Sequence, residues 1–167
     1  MRILSVDPGY DKLGFAILEE RERKPFLVHS ECFRTKREMC FEERLFFLGK
    51  RCAFLIEKYS PEEFAMETLF FSNNAKTAMH VAEVRGALLY LAMEKRLLVF
   101  EYAPQTIKSA VSSYGRGEKG QISRMVERLI DVPHKITEDD EYDAIAVGLT
   151  HLASRKGYDT NRGVKRF

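Results

Sequence analysis

Cysteine is scarce in this chain of 167 residues: Cys32, Cys40 and Cys52 are all there is, and no two form a CxxC pair. An odd count without paired spacing excludes a disulfide framework and argues against a thiolate zinc site, which fits a reducing compartment. Long apolar runs are missing too. Arg2 to Val6 is interrupted by Asp7, too short for a secretory h-region or a membrane span, and no later stretch is long and uncharged enough to cross a bilayer. The expectation is a soluble, cytoplasmic protein that does not engage a membrane. An excess of one charge is also lacking. Lys plus Arg number 27 against 25 for Asp plus Glu, a net charge of +2, which excludes a histone-like polycation but leaves room for a local basic face around an acidic pocket. Repeats and low-complexity tracts are absent. What remains is 45% hydrophobic and 31% charged, the profile of one globular domain large enough to bury its own core.

Hydrophobic periodicity organises the chain. Residues 2–7, 13–19 and 26–33 read as three strands joined by short links, an antiparallel meander. Helical spacing of Phe41, Leu45, Leu48, Cys52, Leu55, Ile56 and Tyr59 marks a helix over 38–59, which Ser60-Pro61 stops. A fourth strand at 64–69, a long helix from Asn74 to about residue 95 and a fifth strand at 97–102 follow. Helices are expected near 104–113, 119–131 and 139–155, with Gly115, Gly117 and Gly120 marking a junction between the first two. This order demands a mixed five-stranded sheet with helices on both faces, the α/β layout of the ribonuclease H-like fold. The expected division is a single ribonuclease H-like domain over 1–157 and a basic, frayed tail over 158–167.

Four carboxylates sit where core packing alone would not put them. Asp7 ends the first strand and Glu67 falls in the fourth after Phe64-Ala65-Met66. Asp140 and Asp143 stand three apart at the start of the last helix, before Ala144-Ile145-Ala146-Val147. Residues at i and i+3 share a helix face, with Cβ atoms about 5–6 Å apart. Parallel strands open their C-terminal ends on one side, where ligands bind. If strands one and four are neighbours, Asp7 and Glu67 share a crevice and the last helix lays Asp140 and Asp143 over it. Four like charges there repel unless a cation joins them, and all-oxygen ligands suit Mg²⁺ or Mn²⁺. Two such ions could clamp the attacking and leaving oxygens of a phosphodiester hydrolysis. Taken singly, each acid has a plainer reading. Asp7-Pro8-Gly9 is good turn chemistry, and acids near a helix start serve as caps or dipole partners. Glu138, Asp139 and Glu141 leave open which acids of that run face inward.

The ordered set Val6-Asp7-Pro8-Gly9, Gly14, Ala65-Met66-Glu67, Phe70, Asn73, Ala75, Ala82-Glu83-Val84-Arg85-Gly86, Val99 to Ala103, Glu118-Lys119 and Asp140 to Ala146 resembles the RuvC family of Holliday-junction resolvases. It spans nearly the whole chain. The resemblance implies a homodimeric, Mg²⁺-dependent endonuclease that nicks a four-way DNA junction in paired, symmetric fashion during recombination and repair. It further implies Asp7, Glu67, Asp140 and Asp143 as metal-binding carboxylates, Phe70 as a base-stacking aromatic, and Lys108 and Lys119 as basic residues of the rim. The long second helix would meet the dimer partner, and a branch-migration motor would work alongside. Ser5 departs from the glycine expected in the first strand, and Tyr10-Asp11 adds a charge near the crevice.

Positive charge must surround such a pocket, and Lys76, Arg85, Lys108, Arg116, Lys119 and Arg124 are the candidates to position DNA. Lys119 could also stabilise charge developing on the phosphate. One of Phe70 and Phe71 is expected in the core and the other exposed. His29 reads as structural, while His80, His134 and His151 could assist chemistry but more simply pack. Two other functions compete: a nucleotide-binding phosphotransferase of the actin-like ATPase superfamily, which shares the strand and Asp-x-Gly opening, and a non-catalytic DNA-structure binder.

Overall fold

The computed structural model describes residues 1–68, 75–111 and 120–155. Its strands are β1 (Arg2–Asp7), β2 (Lys12–Arg21), β3 (Lys24–Arg34), β4 (Glu63–Glu67) and β5 (Leu98–Tyr102). They form one mixed sheet in the order β3-β2-β1-β4-β5. β1 pairs antiparallel with β2 and parallel with β4, and β4 pairs parallel with β5. The helices are α1 (Phe41–Tyr59), α2 (Ala75–Glu94), α3 (Pro104–Val111), α4 (Gln121–Leu129) and α5 (Asp139–Arg155).

The two-residue period of the strands divides the core into two layers. Leu4, Val6, Phe15, Ile17, Phe64 and Met66 point to one face and pack with Leu48, Leu55, Val84 and Leu88 of α1 and α2. Ile3, Ala16, Leu18 and Ala65 point to the other and meet α3, α4 and α5. Each fully buried Phe or Leu here is stabilised by about 1.5–3 kcal/mol relative to exposure. On the second face α5 is buried along nearly its whole length, from Ala144 to Leu152. Small residues let it approach closely. A Cβ on Gly14 would stand 1.8 Å from the Asp140 carbonyl oxygen, and one on Gly148 would meet Ser5 Oγ at 2.7 Å. Ser5, where a glycine was expected, is fully buried and donates its hydroxyl to the Ala144 carbonyl at 2.8 Å. The hydroxyl therefore ties β1 to α5.

Several boundaries differ from the sequence expectation for local reasons. β2 and β3 run on to a two-residue turn at Glu22-Arg23, both with positive φ (50° and 65°). Such a turn matches the twist of a hairpin but lacks its usual Asn-Gly signal, so the charged stretch read as a loop. α1 starts at Phe41 because the Glu43 carboxylate accepts a hydrogen bond from the Cys40 amide at 2.9 Å. β5 starts at Leu98 because Arg96 is left-handed (φ 59°) and the Leu97 amide still bonds back to Ala92. β4 ends at Glu67, one strand residue beside Tyr102. The tail over 158–167 lies outside the described residues, as do Asn74 and the glycine junction at 115 and 117. No described helix is long and apolar enough to cross a membrane.

Because Gly14 touches backbone that cannot swing away, Gly14→Ala is expected to destabilise the protein by about 3 kcal/mol or more, at the upper end for overpacking. Urea unfolding measures this. A loss within experimental error of zero would show that α5 does not press on β2 as described.

Candidate active site

Strand parity puts the acids on one face. Ile3, Ser5 and Asp7 of β1 alternate toward α5, as do Glu63, Ala65 and Glu67 of β4. The parallel register pairs Val6 with Met66, so Asp7 and Glu67 stand side by side at the C-terminal strand ends. Asp7 also lies opposite Gly14 in β2, and the Asp140 backbone presses on that same glycine. The first turn of α5 is thereby held over the strand ends, bringing Asp140 and Asp143 to Asp7 and Glu67. Acids in a first helical turn are themselves favoured by the helix dipole.

The electrostatics record this convergence. Burial first, then the charges of Asp143, Glu67 and Asp140, push the Asp7 carboxyl well above its usual range. Burial and the charges of Asp140 and Asp139 push Asp143 up to about 6. Burial and Asp143 raise Glu67, opposed by Lys108 and Arg85. Among the described residues, burial and the neighbouring acids together outweigh the opposing charges of Lys12, Lys108 and Arg85. Lys108 of α3 is exposed and acts on both Glu67 and Asp143. A cleft of about 170 Å³ opens beside Asp143, lined by Gly120 to Ser123 of the α4 start and by Asp139 and Tyr142.

Two other acids of the 138–143 run, Glu141 and Glu138, have side-chain partners of their own. Glu141 is buried, accepting from Ser30 Oγ at 2.7 Å and lying 2.8 Å from His134 Nε2. Glu138 pairs with Arg34 and, at 3.4 Å, with Lys12. Lys12, which sequence reading passed over, lies with its ammonium against the water-shielded Oδ2 of Asp140. Its signal was available: it stands two residues before Gly14 and so shares the face of Asp7. The Asp11 charge, expected at the crevice, is instead tied to Arg44 of α1. Cys32, Glu138 and Asp140 also offer ligand atoms within 4.8 Å of one another. Burial and the charges of Asp140 and Glu138 push the metal-free Cys32 thiol up to about 11.

Among the DNA-facing candidates, Arg85 is largely buried and binds the Glu67 carbonyl and the Glu101 carboxylate, bracing β4 against β5. Arg124 is exposed on α4. Lys76 lies in the first turn of α2, and its side chain is outside the described residues, as are Phe70, Phe71, Arg116 and Lys119. His29, His80 and His151 each engage neighbouring side chains. His29 bonds Glu31 and stacks on Tyr59, and His80 stacks on Phe41 at 4.2 Å and meets Tyr10 edge-on. His151 is fully buried between Glu63 (2.6 Å) and the Tyr102 hydroxyl (2.7 Å).

A mixed sheet of this order with acids at two adjacent strand ends and on the covering helix defines a nuclease of the ribonuclease H-like class. The family model of the crossover junction endodeoxyribonuclease RuvC matches residues 3–151. The RuvC protein of Petrotoga mobilis is 37% identical over 158 residues, 95% of this chain and 97% of that one. That of Thermotoga maritima is 39% identical over 156 residues, 93% of each. The solved structure of T. thermophilus RuvC in complex with a Holliday junction substrate superposes with a TM-score of 0.84 at 28% identity, covering 94% of this chain and 96% of that one. The yeast mitochondrial resolvase Ydc2, at 14% identity and a TM-score of 0.68, shares the fold. This chain belongs to the RuvC family of crossover junction endodeoxyribonucleases, and its activity is that of a structure-specific endonuclease. Neither the phosphotransferase nor the non-catalytic alternative is favoured.

The raised carboxyls carry a pH signature. The folded state holds protons that the unfolded chain releases, so their stabilising contribution is complete below the ordinary Asp value of 3.8 and is lost as pH rises through about 6. Metal-free Asp143→Asn protein is therefore expected to gain on the wild type as pH rises from 4 to 7, followed by thermal melting. A difference that stays constant over that range would contradict the burial and crowding of Asp143.

Proposed function

We propose that the chain resolves four-way (Holliday) DNA junctions by paired symmetric nicks in recombination and repair, with Asp7, Glu67, Asp140 and Asp143 holding divalent metal. The observation that carries this reading is the convergence of those four carboxylates, from β1, β4 and α5, on one face of the sheet. The donor set fits: oxygen ligands bearing uncompensated negative charge suit a hard cation, Mg²⁺ with Mn²⁺ as substitute, and room for four acids suits two ions. When bound, such ions supply Lewis-acid polarisation of the scissile phosphate and an activated water.

The chain's own groups do the rest. Rigid strand ends fix Asp7 and Glu67, and the Gly14 contact fixes the height of Asp140 above them. Arg85 holds the Glu67 backbone so that its side chain cannot retreat when DNA arrives. Lys108, facing Glu67 and Asp143, is placed to meet a phosphate entering over the acids, and Arg124 to bind an arm farther out. Lys119 and Arg116 precede α4 in sequence, and Lys76 stands at the start of α2, six residues after Phe70. Phe70 is assigned to stacking on a base at an opened junction centre, where such contacts give about 1–3 kcal/mol.

Paired cuts require two centres, so the working form is a homodimer. Exposed Met79, Tyr90 and Met93 give α2 the apolar surface for the partner. A branch-migration motor would deliver junctions to the dimer.

A synthetic four-way junction tests the assignment. Asp7→Asn is expected to abolish nicking in Mg²⁺ while junction binding in EDTA stays within about threefold of wild type, since removing a buried charge leaves the phosphate contacts in place. Retained nicking would refute the role of Asp7. Phe70→Ala is expected to bind junctions but to lose resolution, and wild-type cleavage by that variant would refute the stacking role.

A further inference from the structure

Lys12 opens β2, pairs in register with Arg34 of β3, and sends its side chain to the α5 face. Its ammonium rests against Oδ2 of Asp140 and 3.4 Å from Oε2 of Glu138, whose other oxygen pairs with Arg34. Cations and carboxylates thus alternate as Arg34, Glu138, Lys12, Asp140 along the rim of the acidic centre. The Asp140 oxygen is shielded from water, and among the described residues the Lys12 ammonium is the cation against it.

We propose that Lys12 is a tethered counter-ion of this centre, holding the cation position beside Asp140 until a divalent ion displaces it, and so setting the concentration at which the centre fills. The inference rests on the reading that the four acids hold divalent ions. An ammonium in contact with a carboxylate oxygen takes up electron density that a metal needs and repels the incoming ion. Its departure is easy. The Lys12 side chain is more than a third exposed, its stem is long, and Glu138 offers an alternative partner within reach. Lys12 also acts electrostatically on Asp7 and Asp143, so it balances the centre as a whole and not Asp140 alone. With the ammonium in place the metal-free acids can stay assembled; with it gone they attract a divalent ion more strongly.

The test is Mn²⁺ binding to the full-length protein without DNA, read from the free-ion electron paramagnetic resonance signal. Lys12→Met is expected to tighten binding about tenfold, and Lys12→Arg, which keeps the charge, to stay within about twofold of wild type. Metal-free Lys12→Met should melt lower than wild type and gain more from Mn²⁺. Lys12→Gln carries the same expectations if the Met variant does not melt cooperatively. Unchanged or weaker binding by the neutral variants, or equal tightening by Lys12→Arg, would overturn the role of Lys12. Asp7→Asn separates the two readings. If wild type and Asp7→Asn bind Mn²⁺ alike, or neither binds saturably, the metal reading itself fails and the Lys12 inference with it.

Discussion

Mutual repulsion among carboxylates is the constraint around which this molecule is built. Burial first, and then the charges of the neighbouring acids, raise the proton affinities of Asp7, Glu67 and Asp143, so the metal-free acids are held together at a cost. The fold holds them by rigid means. Two parallel strand ends fix one pair, and a helix pinned by the Gly14 contact and the Ser5 hydroxyl fixes the other. Both devices use backbone or near-backbone contacts, which yield less than long side chains would. A site that must bind metal and release product needs this stiffness, because a pocket that relaxes away from its own charge loses the field that attracts a cation.

The surroundings divide the labour of neutralising that charge. Arg85 is spent on the backbone of Glu67 and on Glu101, so it supports the site without facing it. Lys12 and Lys108 both act on Asp143, and Lys12 contacts Asp140 directly. Buried Glu63 and His151, with half-buried Tyr102, form a chain that links α5 to β4 and β5. With Nε2 donating to the carboxylate, Nδ1 of His151 is left to accept the tyrosine proton, so all three polar groups are satisfied inside the core. Arg155 completes the chain with a 2.9 Å contact to Glu63.

Much of this was legible in the order of residues, for stated reasons. The strand and helix sequence follows from periodicity, and the acids stand out because an Asp or Glu beside Val6 or Met66 breaks an apolar run. Helix spacing left the 138–143 run open, since Glu138 and Glu141 are also three apart, and it took the side-chain partners of those two to tell them from Asp140 and Asp143. Pair partners were not legible. That Arg85 turns inward, that Asp11 meets Arg44, and that Lys12 reaches Asp140 depend on which strands and helices become neighbours across up to 128 residues of sequence. The Glu22-Arg23 turn was hidden because its positive φ values fall on residues that rarely adopt them. Ser5 departs from the glycine expected there, and its hydroxyl is a hydrogen-bonding tie that the sequence did not announce.

The RuvC relationship places the chain among enzymes, but the physical claim beneath it is local: acids from β1, β4 and α5 form one cation-binding centre. Crystals soaked in Mn²⁺ and measured at the metal's absorption edge test that claim most directly. The account predicts anomalous density bounded by the carboxylates of Asp7, Glu67, Asp140 and Asp143, at oxygen distances of about 2.0–2.6 Å. Density seated instead between Cys32 and Glu138, or none at the strand ends under saturating metal, would contradict it.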